Sequence, residues 1–160
     1  MATILIGMGN PVLSDDGVGL EIARRVARLM PADPELAIRE LYSGGLNLME
    51  AMAGYDRALI VDAICTLDGR PGTIHLATVN SLFHTHNTCS THDANLAVAL
   101  ELGRLAGLQL PSEIRIWGVE TADVTTFGEQ LTEAVAQAVP AVVEQVMCEL
   151  RRDSRSGEPA

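Results

Sequence analysis

An apolar run stops at Gly7-Met8-Gly9-Asn10-Pro11 and is followed within a few residues by the acid pair Asp15-Asp16, at the head of a segment of helical period. A strand feeding a glycine turn and then a helix opens a βαβ unit, and this commits the chain to a sheet with parallel strands. A dinucleotide-binding loop would use such a turn to cradle a pyrophosphate on backbone N–H groups. The third glycine it needs is missing, since position 12 is Val12, and no Gly-Lys-Ser/Thr follows to make a P-loop. Carboxylates at a helix start repel phosphate, suit a cation and stabilise the helix through its dipole. The first loop is therefore expected to bind something positive.

The alternation continues along the chain. Strands are expected at 3–6, 36–41, 58–61 and 114–119, and helices at 16–30, at 46–53, from a cap at Thr91 or Asp93 up to Gly107, and at 131–150. Val18, Ile22, Val26 and Leu29 mark one face of the first helix, and Leu96, Leu100 and Leu105 mark a stripe on the third. Thr91 or Asp93 is placed to cap that third helix, and Pro140 is expected to kink the last one. The strand at 58–61 is uniformly apolar and so central, with Asp62 at its end. A further strand at 73–77 follows too closely for a helical crossover and is expected to run antiparallel. The polar stretch from Val79 to Thr91 has neither period and reads as a long loop. The expected fold is a single-domain α/β/α sandwich with a mostly parallel twisted sheet over residues 1–152, followed by a polar, disordered tail at 153–160.

Composition narrows the function classes. Apolar residues make up 48% of the 160 residues but aromatic ones only 3%, so the core is aliphatic. The balance of 11 Lys plus Arg against 21 acids gives a net charge of −10, which offers nothing to nucleic acid or to an anionic membrane. Cys65, Cys89 and Cys148 are scattered, with no Cys-x-x-Cys, against a disulfide framework or a structural zinc site and for a reducing cytoplasm. No signal peptide and no transmembrane run is found in the sequence.

In an open parallel sheet, ligands collect outside the carboxyl ends of the strands. Asp16 follows the first strand, Asp62 ends the third, and His92 precedes the helix after the long loop. Each alone has an ordinary structural role, as a helix-start acid, a loop acceptor and a surface histidine. Together, two carboxylates and one imidazole suit a divalent metal of the nickel, zinc or manganese group and leave a coordination position open. His84-x-His86-x-x-Cys89 has metal-like spacing in what reads as a solvated lid, and His75, inside a strand, reads as structural. Gly-x-Ser-x-Gly and His-Glu-x-x-His are absent.

Gly7-Met8-Gly9-Asn10-Pro11-x-Leu13-x-Asp15-Asp16-Gly17-x-Gly19, Val61-Asp62-Ala63, Pro71-Gly72-Thr73, Thr91-His92-Asp93 and Trp117-Gly118-Val119-Glu120 occur in one order that resembles the hydrogenase maturation proteases. The resemblance covers all but the tail. It implies an aspartic-type, nickel-dependent endopeptidase that removes the carboxy-terminal extension of a nickel-iron hydrogenase large subunit after nickel insertion. It assigns Asp16, Asp62 and His92 as metal ligands and site residues, toward nickel carried by the substrate and held weakly by the free enzyme, with a carboxylate as base. Where many relatives carry an Asp-Gly-Gly-Thr-like segment, this chain has Tyr42-Ser43-Gly44-Gly45-Leu46-Asn47. The rivals are a peptidyl-tRNA hydrolase-like esterase, which needs a basic groove, and a non-catalytic nickel chaperone with the same ligands. The polar helix faces point to a monomer.

Overall fold

The computed structural model of the chain describes residues 1–79 and 96–156, with side chains as far as 152. Strands β1 (Thr3–Met8), β2 (Leu36–Leu41), β3 (Arg57–Ile64), β4 (Ile74–Thr78) and β5 (Glu113–Glu120) form one sheet in the order β2-β1-β3-β5-β4. All neighbours are parallel except β4, which pairs with β5 antiparallel, as the short connection from β3 requires. The described helices are α1 (Val18–Leu29), α2 (Leu46–Met52), α3 (Leu96–Leu105) and α4 (Glu133–Ser156). α4 runs on to Ser156, past Asp153, where composition suggests that the tail begins; residues 157–160 lie outside the described residues.

β1 and β3 are apolar on both faces because both faces are covered. On one face Leu5, Leu59, Val61 and Trp117 pack against Val18, Ile22 and Val26 of α1 and against Val135, Val139, Val142, Val146 and Leu150 of α4. On the other, Ile4, Ile6, Ile60 and Ile116 pack against Leu48 and Met52 of α2 and Leu96 and Leu100 of α3. The expected sandwich is the observed one. Two members of the expected stripes fall outside the core: Leu29 and Leu105 are exposed, because each sits at the last residue of its helix, where the chain turns away from the sheet. At the amino edge of the sheet, buried Arg57 of β3 pairs with Glu149 of α4 and with Glu113 of β5, tying the last helix to the centre.

Two sequence expectations about boundaries are corrected. The first helix does not begin at Asp16: Ser14–Gly17 is a 3-10 turn and α1 starts at Val18. The reason is a long-range one, described below. Nor does Asp62 end β3, since the strand continues to Ile64 through the pairs Asp62 with Gly118, Ala63 with Val119 and Ile64 with Glu120.

α1 meets the sheet backbone to backbone. A Cβ on Gly19 would strike the carbonyl oxygens of Val61 and Met8, and one on Gly7 would strike the Gly19 carbonyl and the Ala23 methyl. Gly19→Ala should therefore cost about 3 kcal/mol or more, at or above the upper end for overpacked sites, because backbone cannot yield as a side chain does. Gly17→Ala, whose Cβ would meet nothing nearer than 3.5 Å, should stay within about 1 kcal/mol. Urea unfolding of the two variants checks this pair.

Candidate functional site

β1 connects through α1 to β2 on one side, while β3 lies on β1's other side, so the carboxyl ends of β1 and β3 flank the point where the strand order reverses. In open α/β sheets this is the place where loops diverge and ligands bind. The turn after β1 is shaped by Gly9, at φ +148 with the Asp16 carbonyl where its Cβ would be, and by Ser14, a non-glycine residue at φ +42. That backbone strain is held by a link to the β5–α4 loop: Ser14 N–H donates to Gly128 O at 2.8 Å, Gly128 N–H to Val12 O at 2.9 Å, and Ser14 Oγ to Gln130 O at 3.1 Å.

The two adjacent acids do different work. Asp15 is fully buried and accepts from the N–H groups of Ala122 (2.9 Å), Asp123 (3.0 Å) and Thr132 (2.7 Å), and from the Thr132 hydroxyl. It staples the first loop to the last one, and this pull replaces the expected helix start by the 3-10 turn. Asp16 is partly exposed and its Oδ2 accepts from Asn10 N–H at 2.9 Å. Among the described residues nothing donates to its Oδ1. Asp62 is buried, on the α2/α3 face of β3, and its Oδ1 accepts from Ala63 N–H at 2.8 Å. The Ser14–Gly17 turn packs against β3. Asp16 and Asp62 thus reach one sheet edge from two different strands. In the neighbouring loop Asp123 is held well below the usual carboxylate range by the hydroxyl and N–H of Thr126 and by Thr125.

A third acid at this edge, Glu120 at the end of β5, lies outside the expected ligand set. It is buried, with Oε1 accepting from Thr66 N–H at 2.7 Å and Oε2 set 3.1 Å from His75 Nε2. Its signal in the sequence is the one that marked Asp62, an acid closing an apolar strand. Among the described residues no group of three His, Cys, Asp or Glu side chains converges as a metal site. His92 lies outside the described residues, as do His84, His86, Cys89, Thr91 and Asp93. α3, which His92 precedes, packs Leu96 and Leu100 on the Asp62 face of the sheet. The carboxyl end of α3 lies at the opposite edge, where Gly54 N–H donates to Gln109 O, so its first turn is at the Asp62 edge.

A family model described as hydrogenase maturation protease matches residues 20–149. The hydrogenase 2 maturation protease of Escherichia coli strain K12 is 27% identical over 162 residues, covering 99% of this chain and 96% of the relative. The hydrogenase expression/formation protein HoxM of Cupriavidus necator is 25% identical over 151 residues, covering 93% and 74%. The solved structure of the hydrogenase maturating endopeptidase HybD from E. coli superposes with a TM-score of 0.83 at 28% identity, covering 96% of this chain and 94% of that one. No helix among the described residues is long and apolar enough to cross a membrane.

The unequal surroundings of the acid pair make a measurable difference. Asp15→Ala removes a fully buried carboxylate and leaves three part-buried N–H groups without their acceptor, and should lose about 3 kcal/mol or more. Asp16→Ala removes one partly exposed acceptor and should lose less than about 1 kcal/mol. Thermal melts of both, side by side, test the division.

Proposed function

This chain belongs to the hydrogenase maturation protease family, and we propose that it is the endopeptidase that removes the carboxy-terminal extension of a nickel-iron hydrogenase large subunit once nickel is in place. It is a peptidase, and its substrate is the large-subunit precursor. Asp16, Asp62 and His92 read the nickel that the substrate brings. The observation that carries this reading is the arrival of Asp16 and Asp62 at one edge from β1 and β3, with one Asp16 oxygen accepting no hydrogen bond among the described residues. Oxygen donors of this kind suit a divalent ion already held by a partner's thiolates, since they add to its coordination without competing for it. Nickel brought by the substrate would supply Lewis-acid chemistry at this edge, toward the scissile carbonyl or a water, with Asp16, Asp62 and His92 as the residues that would meet it.

The surroundings suit a protein substrate. Val12, Tyr42, Leu67 and Phe127, in the loops that follow β1, β2, β3 and β5, and Leu46, the first residue of α2, are large apolar side chains exposed at the same edge that carries the acids. Apolar side chains gathered around a polar centre mark a surface for a macromolecular partner. Gly44 and Gly45 lie in the loop after β2; Gly45, at φ +61, is a position that other residues occupy with strain. Their bare backbone lets a partner chain approach closely.

Incubating the protein with a nickel-loaded precursor should shorten the precursor by the mass of a carboxy-terminal peptide, read by intact mass spectrometry. Binding without mass loss would favour the chaperone reading instead. His92→Ala should abolish processing while moving the melting temperature by no more than a surface substitution does; wild-type cleavage by that variant ends the three-ligand reading. Because nickel arrives with the substrate, the purified protein should carry far less than one equivalent after dialysis, and chelators should leave its fold intact.

A further inference from the structure

The resemblance implies a carboxylate base but names none, which leaves the proton traffic of peptide cleavage without an owner. Asp16 and Asp62, if they hold the metal, have lone pairs committed to it and are poor bases. The structure contains another candidate on the same sheet face. Asp62 of β3 is in register with Gly118 of β5, and Gly118 with His75 of β4, so the three form one row across the sheet. Residues paired in register project to one face. Strands lie about 4.8 Å apart, which puts the His75 and Asp62 backbones roughly 10 Å from each other. The residue between them has no side chain, and Ile64 lies over it.

The imidazole in this row is built like a working one. His75 Nε2 is 3.1 Å from Glu120 Oε2, and the two side chains are 40% and 1% exposed. Glu120 is itself fixed by Thr66, through the backbone N–H and the hydroxyl. A buried carboxylate that accepts from Nε2 sets the tautomer: Nε2 carries the proton and Nδ1 presents a lone pair. A purely structural donor to Glu120 would need no such half-open ring, because Thr66 already supplies two donors.

We propose that His75 relays the proton of the hydrolytic step, with Glu120 as its positioning residue; this rests on the peptidase reading above. Water attacks the scissile carbonyl carbon and loses one proton to His75 Nδ1. The tetrahedral intermediate then collapses. The C–N bond breaks with its electron pair on nitrogen, and His75 Nδ1–H delivers the same proton to that nitrogen. Glu120 stabilises the transient imidazolium without taking its proton, and the ring returns to its starting tautomer. Water has supplied the hydroxyl of the new carboxyl group and the hydrogen of the new amine, and nothing is oxidised or reduced.

The test uses the full chain and nickel-loaded precursor. His75→Gln keeps an N–H donor for Glu120 and removes the relay, so kcat should fall roughly a hundred- to ten-thousand-fold with KM unchanged. His75→Ala should fall as far, and added imidazole should restore a measurable part of the rate. Glu120→Gln should lower kcat at constant KM. Wild-type rates from His75→Gln, or a slow His75→Ala that imidazole does not rescue, overturn the proposal while an active wild type leaves the peptidase reading intact. No cleavage by the wild type overturns both.

Discussion

The arrangement depends first on the absence of two side chains. Gly7 and Gly19 let α1 lie directly on the backbones of β1 and β3, with carbonyls of Met8 and Val61 where a Cβ would otherwise be. Glycine in a helix costs up to about 1 kcal/mol against alanine, and the burial of Val18, Ile22 and Val26 against the sheet offsets that cost at Gly19, in the first turn of α1. A thicker contact would lift the start of α1 away from β3. Asp16 is carried on that start, so the spacing between two chain segments becomes the spacing between two carboxylates.

The carboxylates at the same edge are then distinguished by their donors rather than by their chemistry. Asp15 is saturated by three N–H groups and a hydroxyl, and serves as a staple. Glu120 is divided between Thr66 and His75, and holds a ring in one orientation. Among the described residues Asp16 accepts from a single backbone N–H. Saturation makes an acid structural; an oxygen left over makes it available to a ligand. Asp15, Asp16, Asp62, Glu120 and Asp123 all lie at the carboxyl edge of the sheet, where their charge lowers the local potential of a chain whose net charge is −10.

Much of this is legible in the sequence because much of it is local. Period and β-branching mark the strands and helices, the uniformly apolar 58–61 segment marks the centre, and a short connection marks β4 as antiparallel. The ordered motifs around Gly7, Asp62 and Trp117 name the family. The positions of Asp16 and Asp62 after neighbouring parallel strands follow from chain direction alone, since every such strand delivers its next residues to the same edge.

What the sequence by itself determined, then, is the architecture, the family and the edge at which the acids gather. Only the tertiary structure decided which acid of the Asp15-Asp16 pair is buried, where α1 begins, how far β3 extends past Asp62, and that His75 belongs with Glu120. Each of these depends on a partner distant in sequence: Thr132, which binds Asp15, is 117 residues further along, and Glu120 is 45 residues beyond His75. A carboxylate's role is set by the donors that folding brings to it, and no window of sequence contains them.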